Sequence, residues 1–137
     1  MINIPGLPQE LPSRESTFFL EVEGSTTKFK YRGEFKLRVP NLKAKALAEK
    51  RRAELNGPQG ELLDVTIQVF HSQIAYLAYT IQEAPKWWTL CEYGYALDDY
   101  NVVSTLYDAV RDLEEGWSKT IWGYQEGQNN GESERKA

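Results

Sequence analysis

Few residues in this chain could do chemistry. His71 is the single histidine and Cys91 the single cysteine among 137 residues. A nucleophile and base would have to be assembled from these two, or from His71 and its neighbour Ser72. His71 lies beside the apolar stripe of a predicted helix, where a lone histidine usually serves packing. Zinc needs about four nitrogen or sulfur ligands, which one His and one Cys do not supply. Asp98-Asp99 resembles the start of a carboxylate metal loop, but the spacing of a calcium loop, with its glycine and closing Glu, is missing. A helix is predicted to begin just after the pair, so capping explains it better. Neither G-x-x-x-x-G-K-[ST] nor G-x-G-x-x-G occurs, so no phosphate cradle is expected. With 20 acidic residues, carboxylate pairs can be drawn almost anywhere and carry no meaning. The expectation is a protein that is not an enzyme, with no catalytic residue, metal or cofactor.

What stands out instead is aromatic. Aromatic residues make up 12% of the chain, including four Trp and eight Tyr. Trp87-Trp88 follows a helix-ending Pro85, and Trp117 and Trp122 lie near the end of the last predicted helix. Trp88 and Trp117 suit covers for the end of a helical layer. Trp87 and Trp122 fall on no clear stripe, and Trp and Arg dominate interface hot spots. The candidate partner-binding set is therefore Trp87, Trp88 and Trp122, with Lys36, Arg38, Arg51 and Arg52 as a basic rim.

The elements that position these residues follow from periodicity. Residues 1–13 carry Pro5, Pro8 and Pro12 and are expected to form an extended arm. Phe18, Leu20 and Val22 alternate with Glu21 and Glu23, and Gly24-Ser25 suits a turn. Alternation then runs from Thr27 to Val39, with Phe29, Tyr31, Phe35, Leu37 and Val39 on one face, a strong strand signal. Gly33 in mid-run suggests a bulge or bend. The hairpin can set Glu21 and Glu23 opposite Lys28 and Lys30. Pro40 ends the strand, Asn41 is a plausible N-cap, and Leu42 to Asn56 is a helix closed by Gly57 and Pro58. Glu61 to Glu83 carries apolar residues at steps of three and four (Leu63, Ile67, Phe70, Ile74, Leu77, Ile81) and predicts one long helix; a strand at 64–70 competes through its β-branched residues. Tyr93-Gly94-Tyr95 belongs to a loop. Asp98 or Asp99 caps a last helix running to about Ile121, with the stripe Val103, Leu106, Val110, Leu113, Trp117 and Ile121. The polar residues of 124–137 predict a disordered tail. The expected fold class is α+β: an N-terminal antiparallel hairpin or small sheet, then three helices packed as a small layer, forming a single domain over 14–123.

Charge is unevenly spread. Between Lys28 and Arg52, ten basic residues stand against Glu34 and Glu49, a balance of +8; the whole-chain charge of -4 leaves -12 elsewhere. Nucleic acid is one candidate partner for the basic segment. Neutralisation within the fold or between subunits is the simpler reading, because a dedicated nucleic-acid domain is usually basic overall. No apolar run is long enough to span a membrane, the start lacks the features of a secretory signal, and a lone cysteine suits a reducing compartment.

The order of the pieces is familiar. Gly33-Glu34-Phe35-Lys36-Leu37-Arg38-Val39-Pro40 leads into a basic helix containing Arg51-Arg52-Ala53-Glu54-Leu55-Asn56-Gly57. A long apolar segment then ends in Glu83-Ala84-Pro85-Lys86-Trp87-Trp88. Leu97-Asp98-Asp99-Tyr100-Asn101-Val102-Val103 and a final helix with Glu114-Glu115-Gly116-Trp117 follow. Over roughly residues 30–120 this resembles the tail assembly chaperones of long-tailed, siphovirus-type bacteriophages. The Pro-Lys-Trp-Trp and Asp-x-Asn-Val-Val segments are its most specific parts.

The resemblance implies a late protein of the infected cell that binds the tape-measure protein and keeps it soluble during tail assembly. It implies that protein, the tail tube protein and further copies of the chain as candidate partners. It also implies residence in the host cytoplasm and absence from the mature virion. A groove between the 61–83 and 99–121 helices, with Trp87 and Trp122 near its ends, is the expected client site. The alternatives are a structural virion protein, such as a head–tail connector or tail-completion protein, and a nucleic-acid-binding regulator.

Overall fold

The computed structural model describes residues 12–136, with side chains from 12 to 123. Most of the arm expected over 1–13 lies outside the described residues, and the tail expected over 124–137 lies where no side chains are described.

The period-two segments pair as expected. β1 (Glu15–Glu23) runs antiparallel to β2 (Lys30–Arg38), in unbroken register from Glu15 opposite Arg38 to Glu23 opposite Lys30. Alternation turns Phe18, Leu20 and Val22 to the same inner face as Tyr31, Phe35 and Leu37. The outer face pairs opposite charges: Arg32 lies 3.6 Å from Glu21 and Lys36 3.4 Å from Glu15. Part of the basic segment is thus neutralised within the sheet. One expected pairing is corrected. Glu23 stands opposite Lys30, but Glu21 stands opposite Arg32 and Lys28 faces neither acid, because residues 24–29 form the turn and Lys28 takes a left-handed φ of 66° within it. The turn closes through Gly24 N–H to Phe29 O at 2.8 Å and Lys28 N–H to Gly24 O at 3.0 Å.

Gly33 makes no bulge in this pairing; it sits regularly opposite Leu20. Its missing side chain serves close approach instead. A Cβ there would lie 2.5 Å from Pro85 Cγ, so only glycine lets the Pro85 segment lie on the strand. The irregular step of the sheet lies at Lys36/Leu37, where β2 meets a third strand.

That third strand is the main departure from expectation. The segment 61–83 is not one helix. Gly60–Leu62 is a single 3-10 turn, α2 spans Val65–Ala78, and β3 (Ile81–Glu83) pairs antiparallel with β2, giving the order β1-β2-β3. Asp64 starts α2 by accepting from Thr66 N–H at 2.8 Å. Thr80 ends it: the side chain is buried, its hydroxyl donates to Tyr76 O at 3.0 Å, and its carbonyl takes the Arg38 N–H at 2.8 Å. Ile81 continues the helical stripe, but the open edge of β2 offers it hydrogen bonds. The β-branched run at 65–69 is helical.

α1 (Leu42–Asn56) has both expected caps: Asn41 Oδ1 accepts from Ala44 N–H at 2.9 Å, and Gly57, at φ 75°, donates to Ala53 O at 3.0 Å. No residue of α1 is fully buried. It is an outer helix laid on α2. After the one-turn α3 (Lys86–Leu90), α4 runs over Tyr100–Lys136, past the end expected near Ile121; no proline follows Pro85 to stop it.

The core lies between the sheet and the helices. Leu20, Phe35 and Leu37 meet Ile74 and Leu77 of α2, Trp88 of α3, and Val102, Val103, Leu106 and Val110 of α4. The fold is α+β, a three-stranded antiparallel sheet with helices on its inner face. Burying each such side chain contributes about 1.5–3 kcal/mol.

Candidate functional site

The seven sequence-nominated residues do not form one site. Trp88 is 2% exposed and meets Phe35 edge-on at 5.7 Å, with Gly94 pressed against its ring. Trp87 is half-buried; its indole N–H donates to Arg32 O at 2.9 Å, and its ring lies 5.2 Å from Tyr31. Both tryptophans hold the sheet, so Trp87 is not the free anchor expected. Trp122 is 67% exposed on α4, far along the helix. Lys36 and Arg38 sit on the outer sheet face. Arg51 and Arg52 sit on α1, at 3.8 Å from Glu54 and 2.8 Å from Glu49. Nor does an open groove separate α2 from α4, because Ile74, Leu77, Val103, Leu106 and Val110 fill that space as core.

The polar groups with the most perturbed surroundings are structural. Asp99 is fully buried and accepts four hydrogen bonds: Thr26 N–H at 2.7 Å, Thr27 N–H at 2.9 Å, Thr27 hydroxyl at 2.5 Å and Tyr31 hydroxyl at 2.7 Å. It clamps the β1–β2 turn to the start of α4 rather than capping the helix, because the turn's amides have no other partner. Asn101 completes the clamp, accepting from Ser25 N–H and donating to Glu23 O, both at 2.9 Å. Burial opposes the Asp99 charge, yet the hydroxyls of Thr27 and Tyr31 and the two amides together hold its carboxyl well below the usual carboxylate range. An ionised carboxylate with its lone pairs engaged is a poor general base.

Glu114 is a second node. Lys45 of α1 lies 2.7 Å from it, Tyr76 of α2 donates its hydroxyl at 2.7 Å, and Arg111 lies 3.2 Å away. Burial pushes the Glu114 carboxyl up, but these partners outweigh it and the net shift is downward. Tyr76 is pushed well above its ordinary value, first by burial and then by its bond to Glu114. The open hollow of about 470 Å³ beside this node is lined by Arg14, Lys43, Lys45 and Trp117 among others. Two of its cations are already engaged: Lys45 on Glu114, and Arg14 over the Trp117 ring at 4.2 Å.

His71 is buried with both ring nitrogens engaged, Nδ1 2.8 Å from Asn56 Oδ1 and Nε2 3.1 Å from the Tyr95 hydroxyl. Burial lowers its pKa, favouring the neutral ring. It joins the end of α1, the middle of α2 and the loop after α3.

The arrangement best suited to recognition lies around that loop. Tyr95 stacks on Phe70 and His71, each at 5.7 Å, and Tyr100 meets Phe70 at 5.9 Å. Tyr95 and Tyr100 nonetheless remain about 40% exposed, and Leu90 and Tyr93 far more. Ile67, one turn before Phe70 and His71 on the same helical face, is also exposed. Glu92, Tyr93 and Gly94 all adopt left-handed φ, at 53°, 57° and 89°. For Glu92 and Tyr93 this is a strained conformation, and it is retained where Tyr93 projects into solvent. Sequence reasoning passed over this face. Ile67 and Phe70 lie on the predicted core stripe, Tyr93 and Tyr95 in the predicted loop, and Tyr100 at the start of the predicted last helix. The available signal was the density of aromatics between 87 and 100.

The chain matches no protein-family model, no curated protein and no solved structure. Among the described residues no helix is long and apolar enough to cross a membrane, and no group of three or more His, Cys, Asp or Glu residues could hold a metal ion.

Proposed function

We propose that this protein is a tail assembly chaperone of a long-tailed bacteriophage, which binds the tape-measure protein and keeps it soluble until tail tube protein replaces it. The observation that carries the reading is the group of exposed side chains Ile67, Tyr95 and Tyr100 around the half-buried Phe70, with Leu90 and Tyr93 exposed on the segment just before Tyr95. Exposed apolar side chains gathered on one part of a folded domain support a binding role, and contacts made by exposed side chains suit a client that must later be released. The order of segments from Gly33 to Trp117, which resembles that family, supports the choice of client. Under this reading the protein acts in the host cytoplasm and leaves before the particle is complete.

Comparing infected-cell lysate with purified particles tests it. Recovery in complex with the tape-measure protein from lysate, with none in particles, is the expected result. Stoichiometric presence in particles would overturn it in favour of a structural virion protein.

A further inference from the structure

The aromatic face has a charge environment that specifies what it can bind. Between Arg52 and Arg111 the only Lys or Arg is Lys86. Over the same stretch, exposed acids alternate with the exposed apolar residues: Glu61 and Asp64 lie six and three positions before Ile67, Glu92 beside Tyr93, and Asp98 two before Tyr100. None of the four makes a salt bridge among the described residues, and Asp64 is occupied as the cap of α2. Exposed apolar side chains interspersed along the chain with unpaired acids, with Lys86 the one cation of that stretch, favour cationic partners over anionic ones.

We infer that this face docks an amphipathic helix whose apolar stripe is flanked by Lys and Arg, the tape-measure protein's binding segment if the chaperone reading holds. Tyr95 and Tyr100 present flat, rigid contact area already ordered by Phe70 and His71, so little side-chain entropy is lost on binding. Leu90, at the end of α3, and Tyr93, in the left-handed turn that follows, add exposed apolar side chains close by in the chain. Anchors at helical spacing on the incoming segment meet this strip while its cations meet Glu61, Glu92 and Asp98. A second copy offering its own α1 is the poorer match, because Lys45, Arg51 and Arg52 are already engaged with Glu114, Glu54 and Glu49, which leaves it Lys43 and Lys50.

The test is titration of the full chain with a labelled peptide of about 18 residues, built from Leu at steps of three and four and Lys elsewhere, against the same peptide with Glu for Lys. The Lys peptide should bind, the Glu peptide should bind at least about tenfold more weakly, and added salt should weaken the former. Leu90→Ser with Tyr93→Ser should weaken binding roughly tenfold or more, as should Glu61→Lys with Glu92→Lys; these four side chains are exposed, so the circular dichroism spectrum should not change. Equal binding of both peptides, or binding insensitive to both double variants, would overturn the inference. Self-association abolished by the Leu90/Tyr93 variant would also overturn it, assigning the face to a second copy. The proposed function is tested separately. If the tape-measure protein binds both variants as well as the unaltered chain, the function stands and this face is wrong. If the Lys peptide binds as described and the tape-measure protein does not bind at all, the face stands and the function is wrong.

Discussion

Asp99 grips Thr27 twice, taking its backbone N–H on one carboxylate oxygen at 2.9 Å and its hydroxyl on the other at 2.5 Å. The two residues are 72 positions apart, so this contact joins the first hairpin to the last helix. Asp99→Asn keeps the shape but cannot accept at every position, since its nitrogen only donates. It should lower the melting temperature more than Thr27→Val, which removes one donor and leaves the carboxylate its other three. Thermal melts of the two variants check the order.

The same residue sets an acid limb. The folded Asp99 carboxyl titrates below its unfolded value, so the unfolded chain binds the proton more readily. Stability from this group is complete above the ordinary carboxylate pKa of about 4 and is lost as pH falls toward the lower folded value. Glu114 acts in the same direction. Urea unfolding between about pH 6 and pH 2 should show falling stability, and Asp99→Asn should flatten that slope relative to the unaltered chain.

Gly33 and Pro85 form a packing pair that no charge explains. Gly33→Ala sets a methyl 2.5 Å from Pro85 Cγ and 2.9 Å from its Cβ, an overpacking that costs about 1–3 kcal/mol. Pro85→Ala removes the closer Cγ contact and leaves the one with Cβ, so it should relieve the overlap in part, and the double variant should be more stable than the sum of the single effects. Denaturant titration of the cycle measures that coupling.

The hairpin, both caps of α1 and the stripe of α4 were legible because each depends on neighbours within a few positions. β3 was not, since Ile81 satisfies the helical period and only the open edge of β2 diverts it. Asp99 was legible as a capping residue and not as a clamp, because both roles require an acid before a helix and the turn it holds lies far away in sequence. The aromatic face was hidden for a similar reason: Phe70 and Tyr95 meet only in three dimensions. Both segments most specific to the family resemblance prove to be fold-holding. Pro85 and Trp87 pack on β2, Trp88, Val102 and Val103 are core, and Asp99 and Asn101 bind the turn.

The tryptophans separate cleanly. Trp122→Ala should leave the melting temperature within error, because the side chain is exposed. Trp87→Ala should lower it, since a ring packed on Tyr31 and a bond to Arg32 are lost together. A loss of partner binding in Trp87→Ala alone would therefore report unfolding. Iodide quenching should act chiefly on Trp122 and be mostly abolished by Trp122→Phe.

α1 should be the first long helix to open. It buries no residue completely, and Lys45–Glu114 at 2.7 Å and His71–Asn56 at 2.8 Å are polar ties holding it to α4 and α2. Its amides should exchange faster than those of Val103–Val110, and Lys45→Ala should speed them further without affecting the core of α4. Mass-resolved hydrogen exchange reads both.

The most direct measurement of the central claim is the soluble fraction of the tape-measure protein expressed with and without this chain. The account predicts that the tape-measure protein alone is mostly insoluble, that co-expression brings it into solution as a complex, and that the Leu90→Ser, Tyr93→Ser chain fails to do so while remaining folded. An equally insoluble tape-measure protein in the presence of the unaltered chain would contradict it.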